Sequence, residues 1–138
     1  MTLAERRALK EFETDQFPAL KTRVEEAAGF PVPLEVQWDT LAVPGESRLY
    51  AESWPAVYFE PLIAGLATVC RDEIGREAVK GGLKKIVMQN TSGCVNADYW
   101  AHLEDGVLTL DHESLTNSGD IEARTKGLVA VLESGLSA

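Results

Sequence analysis

Residues 97–111 read ADYWAHLEDGVLTLD, and this stretch decides how the second half of the chain folds. Two runs with alternating apolar residues, 97–103 and 107–111, flank the dipeptide Asp105-Gly106. An Asp-Gly pair between such runs is a strong signal for a two-residue type I′ turn, because both central residues of that turn need a positive φ. The stretch therefore predicts a β-hairpin.

The turn also predicts the register of the hairpin. With Asp105 and Gly106 at the centre, Glu104 pairs with Val107, and the series of pairs continues outward from there. Because successive side chains point to opposite faces, we expect one face to join the core: Tyr99, Ala101, Leu103, Leu108, Leu110 and His112. The opposite face, which we expect to be exposed, carries Asp98, Trp100, His102, Glu104, Val107, Thr109, Asp111 and Glu113.

Charge singles out the same region. The 38 residues between Lys85 and Arg124 contain seven carboxylates and no lysine or arginine. A surface of one sign repels nucleic acid and suits a basic partner or a cation. The predicted binding surface consists of Asp98, Trp100, His102, Glu104, Asp111 and Glu113. Two alternatives stay open for Trp100: it is an exposed interface anchor, or residues 39–55 fold over it and bury it.

The rest of the chain supplies helices on both sides of this hairpin. Apolar spacing predicts a helix over 2–28 that is interrupted near residues 14–16 by Pro18, and a second helix over 57–83. A final helix begins at Ile121. Residues 39–55 contain Pro44-Gly45 and are predicted to be a long loop, of a length that is often functional.

Two further runs predict strands. Residues 34–38 alternate between apolar and polar side chains, and residues 86–88 form a continuous apolar run. The predicted order is α, β, α, β, β, β, α, and three consecutive strands favour an antiparallel meander. We therefore predict a single α+β domain over residues 1–138, a two-layer fold with an antiparallel sheet and helices packed mainly on one face.

Composition narrows the class of protein. The chain has 138 residues, 45% hydrophobic residues and a net charge of −9, which is typical of a folded domain. The negative charge argues against nucleic acid and anionic membranes as partners. The first residues lack the apolar core of a signal peptide, and no apolar run is long enough to cross a bilayer, so we expect the cytoplasm.

The candidate chemistry is sparse. Cys94, His102, Asp111 and His112 are the residues from which a small hydrolase could be built, since nucleophilic catalysis needs an activated thiol or hydroxyl beside a base. The predicted register puts His102 and His112 on opposite faces, so we predict no shared metal ion, and no cofactor. The favoured hypothesis is a protein that binds a basic protein partner, as inhibitors, immunity proteins and adaptors do. The hydrolase is the alternative, and a homodimer formed through the sheet is a further possibility.

Overall fold

The structure is a computed structural model that describes residues 1–137. A short 3-10 turn, Ser47–Leu49, precedes the fourth helix, and a π-helical turn, Pro55–Phe59, follows it. The strands are β1 Leu34–Val36, β2 Lys85–Gln89, β3 Ala101–Glu104 and β4 Val107–Asp111. The helices are α1 Leu3–Asp15, α2 Phe17–Ala28, α3 Trp38–Leu41, α4 Tyr50–Trp54, α5 Glu60–Val69, α6 Glu73–Gly82 and α7 Ile121–Gly135.

The N-terminal helices confirm the predicted interruption. A capping box begins α1: the Thr2 hydroxyl accepts from the Glu5 amide, and the Glu5 carboxylate accepts from the Thr2 amide. The chain breaks at Gln16, and Pro18 lies in the first turn of α2, where its missing amide hydrogen costs nothing. Gly29 ends α2 with a φ of 83°, the left-handed conformation that glycine adopts readily.

The long-loop prediction for residues 39–55 is wrong, because short helical segments occupy most of it. The helical path continues from α4 into α5 through the π-helical turn, in which the Glu60 amide donates to the Pro55 carbonyl. This turn widens the helix at a proline, which itself has no amide hydrogen to donate.

The helix predicted over residues 57–83 is two helices. It stops after Val69, and Asp72 restarts it as the N-cap of α6, its carboxylate accepting from the Gly75 amide at 2.9 Å. Asp72 therefore begins a new helix inside the predicted one. Ile74, in the first turn of α6, is 70% exposed.

The sheet is mixed, with the strand order β1-β2-β4-β3. The α+β class is confirmed, but the predicted antiparallel meander and two-layer antiparallel fold are wrong, since β1 with β2 and β2 with β4 are parallel pairs. Only β3 with β4 is antiparallel. The continuous apolar run of β2 suits its place in the middle of the sheet: Ile86 and Met88 are fully buried on the core face, and Val87 between them is 9% exposed.

The hairpin register is confirmed. Glu104 pairs with Val107, Leu103 with Leu108, His102 with Thr109, and Ala101 with Leu110. Asp105 and Gly106 have φ values of 52° and 80°, as a type I′ turn requires. The strand β3 begins only at Ala101, so Tyr99 does not follow the alternation and is 67% exposed, contrary to its predicted place in the core.

The core lies between the helices and one face of the sheet. That face supplies Ile86, Met88, Leu108 and Leu110, all fully buried. At one end, rings from α1, α2, α3, α4 and the π-helical turn form an aromatic cluster of Phe12, Phe17, Trp38, Tyr50, Trp54 and Phe59. Within residues 1–137, no helix has both the length and the apolar character that crossing a membrane requires.

Candidate functional site

Three of the six residues predicted to form the binding surface are exposed. His102 and Glu104 are exposed on the face of β3 that points away from the core, and Asp98 is exposed in the segment before that strand. Glu113 is half-buried, and its carboxylate accepts from the Leu115 amide at 3.1 Å and from the Thr116 hydroxyl. These residues leave negative charge at both ends of the hairpin.

The predicted exposure of Trp100 is wrong. The indole is fully buried, and α7 covers it in place of residues 39–55. Its Nε1 donates to the Arg124 carbonyl at 2.9 Å. Gly127 allows α7 to pack this closely against the segment before β3, because a Cβ at Gly127 would lie 2.2 Å from the Ala97 carbonyl oxygen. The backbone leaves strand geometry before Ala101, so the alternation does not extend to Trp100.

The predicted exposure of Asp111 is also wrong, since its side chain is only 7% exposed. Its carboxylate accepts from the amides of Thr91 and Ser92, from the Thr91 hydroxyl at 2.6 Å and from the Gln89 side chain at 3.0 Å. Burial raises the pKa of Asp111, but these hydrogen bonds together hold it below its ordinary value. Asp111 thus fastens the segment after β2 to the end of β4 and is not free to bind a partner.

His112 lies in a buried polar pocket directly after β4. Its Nδ1 is 2.6 Å from the Glu113 carbonyl oxygen, and its buried Nε2 has no hydrogen-bond partner among the described residues. The Tyr58 hydroxyl donates to the His112 carbonyl at 2.5 Å, and the Trp100 ring meets the imidazole edge-on, with centroids 6.3 Å apart. Burial lowers the pKa of His112, because the cationic form would lose its hydration.

Arg124 is a structural residue that the sequence analysis missed. Its guanidinium is fully buried and donates to four carbonyl oxygens, at 3.0 Å to Val57, 3.1 Å to Ala56, 2.7 Å to Asn117 and 3.3 Å to Ser118. The π-helical turn supplies two of these carbonyls. A sequence signal existed: position 124 falls three residues after Ile121 and four before Leu128, on the inner stripe of α7.

The hydrolase candidates have separate roles in the structure. The half-buried Cys94 thiol donates to the Asn96 carbonyl at 3.3 Å, while Asp111 binds residues 89–92 and His102 faces solvent. The Glu113 amide donates to the Cys94 carbonyl at 2.7 Å, so the backbones of Cys94 and Glu113 are neighbours. No hydrogen bond within residues 1–137 joins any two of Cys94, His102, Asp111 and His112. Within the described residues, these four candidates therefore form no nucleophile–base pair with one another.

Residues 1–137 contain no group of three or more histidine, cysteine, aspartate or glutamate side chains placed to hold a metal ion. His102 is exposed on β3, whereas His112, directly after β4, is fully buried. The carboxylates of Asp111 and Glu113 accept hydrogen bonds from protein donors.

Comparisons with known proteins add no relative. The chain matches no protein-family model, and neither curated proteins nor solved structures gave a significant match. Function must therefore be argued from the charge and geometry of the surface alone.

Proposed function

We propose that the protein acts by binding another protein with a basic surface. The binding site is the acidic hairpin surface, which we define as the side chains of Asp98, His102, Glu104, Asp105 and Glu113. Trp100 and Asp111, the other two residues of the predicted surface, contribute from beneath by fixing the segments on either side of the hairpin.

One observation carries the proposal: exposed charge between residues 86 and 123 is entirely negative, apart from any protonation of the histidine. The next cation along the chain, Arg124, is fully buried, so it does not offset these carboxylates at the surface. Of the two lysines before the stretch, Lys85 forms an ion pair with Glu35 on the neighbouring strand, at 3.1 Å. The exposed Lys84 lies against the turn, its amide donating to the Gly106 carbonyl at 2.7 Å, and is a cation beside the surface. A surface with an excess of negative charge attracts a basic partner and raises its rate of association.

The sheet face that carries His102 and Glu104 also has side chains on β4 that a partner could contact. On β4, Val107 and Thr109 are half-buried and point to the same side as His102 and Glu104. Small side chains beside exposed charged ones resemble the mixture found in interfaces that form and dissociate, which are about as polar as the rest of a protein surface.

The test begins by finding the partner. A photo-cross-linking amino acid placed at Thr109, compared with one at the exposed Thr68 on α5, identifies proteins that contact the hairpin side. Association of the captured partner is then measured with Glu104→Lys and Asp98→Lys combined. We expect the association rate to fall at least about tenfold and the wild-type rate to fall with added salt.

The matched control reverses two exposed carboxylates elsewhere, Glu26→Lys on α2 and Glu11→Lys on α1, and makes the same change in net charge. If both double variants associate equally slowly, only net charge matters and the hairpin is not the site. If neither variant differs from the wild type, the proposal is wrong.

A further inference from the structure

A groove on another part of the molecule has the properties of a binding site of opposite sign. It lies between α1 and residues 39–44 and has a volume of about 890 Å³. That volume falls within the roughly 300–1,000 Å³ that is usual for ligand sites. Its apolar lining includes Leu3, Leu9, Ala42 and Pro44. No residue of the acidic hairpin surface lines it.

The rim of this groove on α1 is cationic. Arg6, Arg7 and Lys10 line it, and with Leu3 they follow the spacing of one helix face. All three cations are exposed, and in residues 1–137 neither Arg6 nor Arg7 forms an ion pair. Lys10 has only a long contact with Glu13, at 3.8 Å. In a chain of net charge −9, this is a local concentration of unpaired positive charge.

Two carboxylates, Glu5 and Asp39, also line the groove and offset part of the charge of the three cations. Glu5 is buried, and its carboxylate accepts from the Thr2 amide at 2.8 Å and from the Thr2 hydroxyl at 2.6 Å. These bonds lower the pKa of Glu5 and commit its oxygens to the start of the helix. Asp39, on the opposite wall, is the other carboxylate that lines the groove.

The opposite wall is held in place before any ligand arrives. The Tyr50 hydroxyl donates to the Val43 carbonyl and accepts from the Val43 amide, both at 3.0 Å. The buried Ser114 hydroxyl donates to the Leu41 carbonyl at 2.7 Å. A wall fixed in this way loses little conformational entropy on binding.

We propose that this groove binds an acidic amphipathic segment of another protein. The three cations extend over about 6 Å of the α1 axis, which suits several carboxylates in a row, and the apolar lining beneath takes hydrophobic side chains at helical spacing. A single phosphate would use the cations and leave the apolar lining empty. A flat membrane surface could not reach a lining between two walls. The inference does not depend on the acidic hairpin surface.

The experiment uses the whole chain and fluorescent peptides that carry glutamate and leucine at helical spacing. Fluorescence anisotropy gives the Kd for the wild type and for Arg6→Glu combined with Arg7→Glu. We expect at least about tenfold weaker binding for this variant, since charge reversal converts attraction into repulsion. A matched control, Lys21→Glu with Lys80→Glu, changes exposed, unpaired cations on α2 and α6 and should bind nearly as the wild type does.

A second variant, Ala42→Trp, fills the groove without changing charge and should also weaken binding, with thermal unfolding recorded to verify the fold.

If the Arg6/Arg7 reversal and the Lys21/Lys80 reversal weaken binding equally, long-range attraction alone explains the result and the proposal is overturned. Equal affinity for a glutamate–serine peptide would exclude a role for the apolar lining. Displacement of the peptide by phosphatidylserine vesicles, or self-association abolished by the Arg6 and Arg7 reversals, would assign the groove to a different occupant. Glu104→Lys with Asp98→Lys should leave peptide binding intact, which separates this proposal from the previous one.

Discussion

Arg124 joins two segments of the chain through buried polar contacts. No ion pair within residues 1–137 involves its guanidinium; instead, four backbone carbonyls from two distant segments accept its hydrogen bonds. Burial lowers the pKa of this group, although it remains charged at neutral pH because arginine titrates far above that range. The arrangement fixes the π-helical turn to the segment before α7.

We predict that Arg124→Met destabilises the fold by about 3 kcal/mol or more, because buried carbonyls lose their donors. Arg124→Lys should recover only part of this loss, since an ammonium group cannot reproduce the planar fork of donors. Urea denaturation gives both values. Lys126→Met, at an exposed position two residues away, should change stability by no more than about 0.5 kcal/mol; an Arg124→Met effect of the same size would contradict this account.

His112 predicts how stability depends on pH. The pKa of His112 is lowered in the folded state from the ordinary 6.5, so below that pH the unfolded chain binds more protons. The contribution of His112 is complete above about pH 6.5 and is lost as the pH falls below it, by at most about 1.4 kcal/mol per pH unit. The lowered pKa of Asp111 acts in the same direction, but only as the pH approaches and passes below its ordinary value of 3.8.

Chemical denaturation at about pH 7.5 and about pH 5.5 brackets the His112 transition. We expect the wild type to lose stability between these two values and His112→Gln to lose less. His102→Gln, which removes the exposed histidine, is the matched comparison. An equal pH dependence in the wild type and His112→Gln would contradict the assignment.

At the scale of elements, α7 and the segment before β3 meet at a contact that only glycine allows. A Cβ on Gly127 would lie 2.2 Å from the Ala97 carbonyl oxygen, a backbone atom that cannot move aside cheaply. At Gly81, near the end of α6, a Cβ would meet no neighbouring atom within 4 Å.

These two glycines give a matched pair of substitutions. Gly127→Ala should destabilise the fold by about 1–3 kcal/mol, since overpacking outweighs the gain in helix propensity. Gly81→Ala should be neutral or stabilising by up to about 1 kcal/mol. Thermal unfolding of the two variants is compared with that of the wild type, and stabilisation by Gly127→Ala as well as by Gly81→Ala would mean that helix propensity outweighs overpacking in α7.

Local sequence patterns predicted several helices and strands and the register of the hairpin. Long-range contacts determined the strand order of the sheet and the burial of individual side chains. Asp105-Gly106 and the alternation after Ala101 determined the pairing of β3 with β4, because turn and strands are adjacent in sequence. The parallel pairing of β2 with β4 joins strands that are not consecutive, and no local spacing encodes it. The prediction that Trp100 and Asp111 are exposed is wrong for the same reason: α7 covers Trp100, and residues 89–92 enclose the Asp111 carboxylate.

At the scale of the whole molecule, buried apolar side chains are distributed unevenly among the elements. The strands β2 and β4 lie in the interior of the sheet and carry fully buried residues such as Ile86, Met88 and Leu110. In contrast, Val79 is the buried residue of α6, Ile74 on the same helix is exposed, and the helix ends in two glycines.

We therefore predict that α6 opens locally without unfolding of the sheet. In native-state hydrogen exchange, amides of α6 should exchange about tenfold or more faster than those of β2 and β4, because local opening there exposes little apolar surface. Low concentrations of urea should leave the exchange rate of α6 nearly unchanged while they accelerate exchange in the sheet. Equal protection across α6 and β2 would indicate a single cooperative unit.

The placement of the three tryptophans gives the molecule its own optical reporters. Trp38 and Trp54 lie together among the rings of α1, α2 and α4, while Trp100 lies apart, against His112 and beneath α7. Because a protonated imidazole quenches a neighbouring indole, the emission of Trp100 should follow the charge on His112. The emission of Trp38 and Trp54 should instead follow the packing of α1 against the rest of the core. With single-tryptophan variants, intrinsic fluorescence can separate events at the two ends of the core without an added label.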